Sequence, residues 1–186
     1  MQHAAPRGPT LPLVVPLRDG RQVCVREVGA QDKAAMRDAF ERLSAQARYT
    51  RFMAPLRELS DATLDAATHP VPGREFALVA VDDGAGRPGA IVAGARYVGI
   101  PASHACEFAL TVADDWSAQG LAGRLLPLLI AHAAAHGLHC MEGYVLAANT
   151  PMRRLARRLG FADTPCPDDR SLRIVRLELA AGGCHD

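Results

Sequence analysis

The stretch from Glu107 to Leu126, EFALTVADDWSAQGLAGRLL, decides how the rest of the chain is interpreted. Its first part belongs to an apolar run, 106–113 (CEFALTVA), which is typical of a central strand buried on both faces. A loop follows at 114–120, and a helix is predicted from about 121 to 136, with Gly137 ending it. The sequence therefore predicts a strand, a glycine-bearing loop and a helix in direct succession.

The start of this helix is a candidate site for a pyrophosphate group. The first backbone N–H groups of a helix have no intrahelical partner, and the helix dipole is positive at that end. Gly120 and Gly123 let the backbone approach phosphate oxygens without a Cβ in the way. Arg124, at the junction of loop and helix, is a further candidate for a phosphate contact.

The sequence on either side predicts alternating strands and helices. Strand-like runs lie at 22–28, 75–82, 90–98, 139–146 and 172–179. Helical patterns lie at 31–43, after the cap residues Ser44 and Ser60, and from Pro151 to Leu159. The predicted order is β-α-α-β-β-β-α-β-α-β. We therefore expect one α/β domain over residues 13–186, preceded by a flexible tail over residues 1–12.

Composition and charge argue against several classes of protein. The chain has 186 residues, 49% of them hydrophobic, which fits one domain with a sizeable core. Its net charge of +1 argues against binding to nucleic acid. No apolar stretch approaches the length of a membrane span, and residues 1–10 lack the apolar core of a signal peptide.

The cysteines indicate a reducing environment. Their number, five, is odd, and none belongs to a CxxC pair or to a His/Cys cluster with metal-ligand spacing. We therefore expect free thiols, no metal site and a cytoplasmic protein. His132, His136 and His139 have no ligand-like spacing either, so we do not expect them to bind a metal.

At the loop, the sequence resembles the GNAT superfamily of acyl-CoA-dependent N-acetyltransferases. The pyrophosphate loop of that family reads Q/R-x-x-G-x-G/A after a central strand, and residues 117–122 here read SAQGLA. The Gly and the final small residue match the motif. The first position differs, because Ser117 stands where the family has Gln or Arg.

Three further segments carry the resemblance, which covers roughly residues 17 to 180. The segment 149–161 is similar to the family's later helix, N-x-x-M-x-x-L-x-x-x-L-G-F, which flanks the pantetheine arm. Segments 43–52 and 107–116 resemble the GNAT domains of bacterial protein lysine acetyltransferases. The resemblance implies a mixed central β-sheet flanked by helices, with acetyl-CoA as co-substrate and an amine, such as a protein lysine, as acceptor.

The resemblance also implies roles for individual residues. Glu107, the only carboxylate within the central strand, holds the position of the proposed general base. The alternative is a solvated carboxylate at a strand end. The residues implied for acetyl-CoA are the backbone of the splayed strand, the loop with the helix start, and the start of the later helix: Leu110, Thr111, Val112; Ser117, Ala118, Gln119, Gly120, Leu121, Ala122, Gly123, Arg124; and Asn149.

The general acid and the acceptor are less well defined by the sequence. Many members of the family place a Tyr acid where this chain has Ala156; Tyr144 and Tyr49 are candidates instead, with plain packing as the alternative. The arginines at 153, 154, 157 and 158 are either a solvated helix face or contacts for CoA phosphates or an acidic substrate.

Three functions stay open at this point. The first is acetylation of a protein lysine, the second is acetylation of a small-molecule amine, and the third is sensing of acyl-CoA without transfer. The assembly state is open too, with a homodimer as one option.

Overall fold

A mixed eight-stranded sheet forms the centre of the protein in the computed structural model, which describes residues 10–84 and 87–179. The strands are β1 (Leu13–Pro16), β2 (Gln22–Glu27), β3 (Glu75–Asp82), β4 (Ile91–Gly99), β5 (Ala105–Val112), β6 (Cys140–Leu146), β7 (Ala162–Pro165) and β8 (Leu172–Glu178). Their order in the sheet is β1-β2-β3-β4-β5-β6-β8-β7. All neighbouring strands are antiparallel except β5 and β6, which are parallel.

Helices cover the sheet and supply its connections. They are α1 (Lys33–Arg42), α2 (Ala45–Phe52), α3 (Asp61–Thr68), α4 (Leu121–Ala135) and α5 (Thr150–Arg158), with single 3-10 turns at Ala30–Asp32 and Asp114–Trp116. The α/β fold with a mixed central sheet, predicted from the sequence, is therefore confirmed.

The helix starts follow the predicted caps. The Ser44 hydroxyl accepts a hydrogen bond from the third residue beyond it at 3.1 Å, and Ser60 does the same at 3.1 Å. The Asn149 side-chain oxygen accepts one from Met152 at 3.2 Å. These caps satisfy backbone N–H groups that would otherwise lack partners.

The predicted order of elements is wrong in three places. It lacks β1 and β7, and it counts two helices between the first two strands, although three helical segments were predicted there and the structure has α1, α2 and α3. The missed strands have four residues each and lie mostly exposed at the two sheet edges. Such short segments show no alternation of apolar and polar residues. They become strands because a neighbouring strand pairs with them. The predicted tail, residues 1–12, lies mostly outside the described residues.

The core lies between the sheet and helices α4 and α5. Four leucines of α4 are fully buried in it, namely Leu121, Leu125, Leu126 and Leu129. His132 on the same helix stacks on Phe76 at 3.5 Å between ring centroids, and its Nδ1 lies 2.8 Å from the Tyr97 hydroxyl. Burial lowers the pKa of His132 to about 4, so this ring packs as a neutral group.

The described cysteines are all free thiols: Cys24, Cys106, Cys140 and Cys166. Cys184 lies outside the described residues. Within residues 10–84 and 87–179, no three His, Cys, Asp or Glu side chains form a group that could hold a metal ion. In the same part of the chain, no helix has both the length and the apolar character that a membrane span requires.

Candidate active site

Strands β5 and β6 separate and open a cleft in the middle of the sheet. Their register pairs end at Glu107 and Glu142, although both strands continue beyond that point. The Phe108 ring fills the fork against Gly143, where a Cβ would lie only 2.6 Å from the ring. Any larger residue at Gly143 would therefore displace Phe108. Beyond the fork lies a cleft of about 1180 Å³.

Backbone groups of β5 that have lost a strand partner face this cleft. The His104 carbonyl accepts a 2.7 Å hydrogen bond from the β6 side, whereas the Ala113 N–H donates one of 2.9 Å to β4. Successive residues of a strand direct their N–H and C=O groups to opposite neighbours. Leu110 and Val112 therefore direct their N–H groups into the cleft, and Thr111 directs its own to β4.

The loop before α4 combines left-handed backbone with the start of a helix. Gly120 is the N-cap of α4 and has a φ of 92°, and Ala118 also has a left-handed φ of 62°. For Ala118 this backbone conformation costs about 1–2 kcal/mol, which the surrounding structure must supply. The first-turn residues of α4 line the cleft, and the N–H groups of a first helical turn have no partners within the helix. Trp116, buried just before the loop, anchors it to the core.

Arg18 is a residue of this site that the sequence interpretation missed. It lies in the turn between β1 and β2, and its Nη1 donates to the Ala118 carbonyl at 3.3 Å. Its Nε lies 3.7 Å from where a Cβ on Gly120 would be. Ser117 turns its hydroxyl back to the Ala113 carbonyl at 3.3 Å. Arg18 thus brings to the loop the cationic side chain that Ser117 does not provide.

The structure brings all the predicted site residues together along this one cleft. They are Glu107, Leu110, Thr111, Val112, Ser117, Ala118, Gln119, Gly120, Leu121, Ala122, Gly123, Arg124 and Asn149. Their individual roles stay predictions. The charged side chains of the lining are five arginines and two carboxylates: Arg18, Arg51, Arg124, Arg154, Arg158, Glu107 and Asp114. This excess of positive charge favours an anionic ligand.

The four arginines of α5 divide into two pairs with different surroundings. Arg153 and Arg157 donate to the buried Asp163 carboxylate at 3.0 and 2.6 Å. Burial raises the pKa of Asp163, but the hydrogen bonds from Arg173 and this pair outweigh it and leave the pKa below its ordinary value. The other two, at 154 and 158, line the cleft. The helix face is therefore neither uniformly solvated nor uniformly available to a ligand.

The other end of the cleft holds Glu107 and Tyr144. Glu107 is exposed to the cleft rather than buried in the sheet. Tyr144 is 42% exposed and also lines the cleft; burial is the first cause that raises its pKa, followed by the charges of Glu142 and Glu107. Ala156 is fully buried in the core, and Tyr49 lies exposed on α2 outside the cleft lining.

Comparison with known proteins agrees with this architecture. The model of the "Acetyltransferase (GNAT) family" matches residues 36–161. The chain belongs to the GNAT acetyltransferase family. As a member, it is an acyltransferase enzyme, and the resemblance stated from the loop motif is confirmed.

Individual relatives extend the match over most of the chain. The Acetyltransferase PA5475 of Pseudomonas aeruginosa is 36% identical over 165 residues, which is 88% of this chain and 87% of that protein. The GNAT domain of S. lividans PAT has a TM-score of 0.80 at 26% identity, over 90% of this chain and 96% of that one. The yncA protein of Salmonella typhimurium, solved with acetyl-CoA, has a TM-score of 0.65 at 22% identity over 88% and 98%, and shares the fold.

Proposed function

We propose that this GNAT enzyme transfers the acetyl group of acetyl-CoA to a primary amine, and that the acceptor is a lysine side chain of a protein. The observation that carries the proposal is the cleft between β5 and β6. It joins an exposed carboxylate, Glu107, to the free N–H groups at the start of α4. The shared fold with yncA, solved with acetyl-CoA, supports the choice of donor. We also propose a cytoplasmic location, in keeping with the free thiols at the described cysteines.

The reaction starts with removal of a proton from the ammonium form of the acceptor. Glu107 accepts this proton, directly or through one water molecule. The amine lone pair then attacks the thioester carbonyl carbon, and a C–N bond forms. The N–H groups of Leu110 and Val112 face the cleft where the negative carbonyl oxygen would need hydrogen-bond donors.

The second half of the reaction releases CoA. The C–S bond breaks, the electron pair leaves with sulphur as the CoA thiolate, and the new amide nitrogen loses its second proton to solvent. This thiolate takes a proton from water or from the Tyr144 hydroxyl, whose raised pKa keeps it protonated at neutral pH. Because the position of the usual family acid, Ala156, is buried in the core, we assign that residue no part in proton transfer.

A protein acceptor is supported by the accessibility of the Glu107 end. Glu107 and Tyr144 are both exposed there, so a lysine on a large partner can reach them from solvent. The resemblance of segment 43–52 to the first helices of protein lysine acetyltransferases points in the same direction.

The test is transfer of labelled acetyl-CoA to a protein extract and, separately, to a panel of polyamines and amino acids. We expect acetyl label on lysine side chains, located by mass spectrometry of tryptic peptides. Label on small amines alone would contradict a protein acceptor but would support the acetyltransferase activity. Binding of acetyl-CoA without any transfer would contradict the enzymatic function itself.

A further inference from the structure

Among the described residues, Arg51 differs from the other arginines of α1 and α2 because no hydrogen bond or ion pair holds its guanidinium. Arg48 donates to three backbone carbonyls at 2.8–3.1 Å, Arg42 donates to one at 3.0 Å, and Arg37 pairs with Asp61. Arg51 forms neither a hydrogen bond nor an ion pair with any residue in the ranges 10–84 and 87–179. Its guanidinium contacts the Phe52 ring at 4.8 Å and lines the cleft.

Arg51 lies at the acceptor end of the cleft, which holds Glu107 and Tyr144. The phosphate end is formed by the loop at 114–120 and the start of α4. Ser44, the N-cap of α2, donates from its N–H and hydroxyl to the Asp114 carboxylate at 2.9 and 3.0 Å, near the phosphate loop. Arg51 comes about two turns later, about 10 Å along the helix axis. There it lies close enough to Glu107 for the two charges to interact.

Arg51 is partly buried and lies near a second positive charge, that of Arg96. Burial is the first cause that lowers the pKa of Arg51 to about 10; the positive charge of Arg96 adds to this effect, and Glu107 opposes it. The Arg96 Nε itself is buried and has no hydrogen-bond partner in the described part of the chain. Arg51 stays protonated at neutral pH, and an anion that accepts hydrogen bonds from its guanidinium would stabilise this charge further.

We propose that Arg51 is an anion subsite that binds a carboxylate of the acceptor, close to the amine that Glu107 deprotonates. This inference rests on the proposed function and narrows its substrate class to amines with a neighbouring carboxylate. A guanidinium donates two parallel hydrogen bonds to a carboxylate, and Glu107 offers the opposite charge for the ammonium. An acceptor that carries an ammonium group and a nearby carboxylate would therefore interact with both Glu107 and Arg51.

Two kinds of acceptor carry this chemistry. One is a protein lysine with an Asp or Glu beside it, and the other is a free amino acid with its α-carboxylate. Both are tested as matched pairs that differ only in the carboxylate. The peptide pair is a blocked pentapeptide with Asp or Asn next to its lysine, and the small-molecule pair is L-lysine and L-lysinamide.

The experiment measures binding of each probe to the CoA-bound protein by calorimetry, and acetyl transfer by release of CoA thiol. In at least one pair, we expect the carboxylate form to bind on the order of 10–100-fold more tightly than the amide form. Arg51→Gln should abolish this preference by raising KM for the carboxylate form alone, with little change in kcat. Arg51→Lys should restore part of it, because it keeps the charge and loses the paired donors.

Arg57→Gln is the matched control, since it removes one positive charge from an exposed position outside the cleft lining. It should leave the preference intact. Equal binding of both members in both pairs would overturn the subsite, as would a preference that survives in Arg51→Gln. Failure of the proposed function looks different: a carboxylate preference that depends on Arg51 would persist in binding while no amine is acetylated.

Discussion

The two ends of the cleft are built from different parts of the chain. At the phosphate end, the groups that face a ligand are mostly backbone N–H groups, set by the left-handed Gly120 and the start of α4. At the acceptor end, they are side chains, Glu107 and Arg51, that come from different elements. The first end is fixed by one continuous segment of sequence. The second depends on how α2 packs beside β5, so a single substitution there can alter its charge without altering the fold.

The largest effect expected at either end is that of Glu107→Gln on turnover. The amide keeps the shape but cannot accept the proton, so we expect turnover to fall by about 10²–10⁴-fold while acetyl-CoA affinity survives. The lost rate should return in part as pH rises, because more of the amine is then already neutral. Steady-state kinetics across pH, with calorimetry for acetyl-CoA, would measure both.

Glu142→Gln is the matched control for this change. Glu142 is the register partner of Glu107 on β6, but it pairs with Arg176 at 3.4 Å and does not line the cleft. We expect the turnover of the Glu142→Gln variant to stay within a few-fold of wild type. Near-normal turnover in Glu107→Gln would rule out a general base, and a simultaneous loss of acetyl-CoA affinity would indicate a structural role.

At the phosphate end, Gly120→Asp should produce the next largest effect. It places a carboxylate against the pyrophosphate, and two like charges about 5 Å apart repel by about 3 kcal/mol at the surface of a protein. Acetyl-CoA affinity should therefore fall by about 100-fold. Gly137→Asp is the control, because Gly137 is also left-handed, follows the opposite end of α4 and has open space around its Cβ position. Calorimetry showing unchanged affinity in Gly120→Asp would remove the loop from the binding site.

Arg18 extends the phosphate end beyond its continuous segment. Its guanidinium lies over the loop, so Arg18→Gln should weaken acetyl-CoA binding by about 10-fold, with the loss shrinking as salt concentration rises. Arg18→Lys should recover part of the affinity. Equal affinity of wild type and Arg18→Gln at low salt would show that Arg18 only supports the Ala118 carbonyl.

The same contrast explains what could be predicted from the sequence. The strand, loop and helix at 105–135 were predictable because their glycines, apolar runs and caps are local signals. Arg18 lies in a turn far away along the chain, and no local pattern joins it to Gly120. The edge strands β1 and β7 were missed for the same reason, since partner strands define them. Arg51 had no signal of its own, because an unpaired arginine is recognised only when its surroundings are known.

Substitution of the α5 arginines should have the smallest effect on acetyl-CoA affinity. It also tests whether residues with one sequence pattern can have different roles because their surroundings differ. Their sequence spacing is the same in both pairs, but only one pair contacts Asp163. The double variant Arg154→Gln/Arg158→Gln removes exposed charges from the cleft wall, so acetyl-CoA affinity should fall by about 3–10-fold and thermal stability should hardly change. The matched variant Arg153→Gln/Arg157→Gln removes the same charge from the same helix.

For that second variant we expect the opposite result. It leaves the buried Asp163 carboxylate with Arg173 as its remaining ion-pair partner among the described residues, which should lower stability by on the order of 2 kcal/mol. Acetyl-CoA affinity should stay near that of wild type, since these side chains are turned away from the cleft. Chemical denaturation and calorimetry on both variants measure the two quantities side by side. If both variants lose affinity equally, the helix acts through its total charge, and the division into a structural and a ligand-facing pair is wrong.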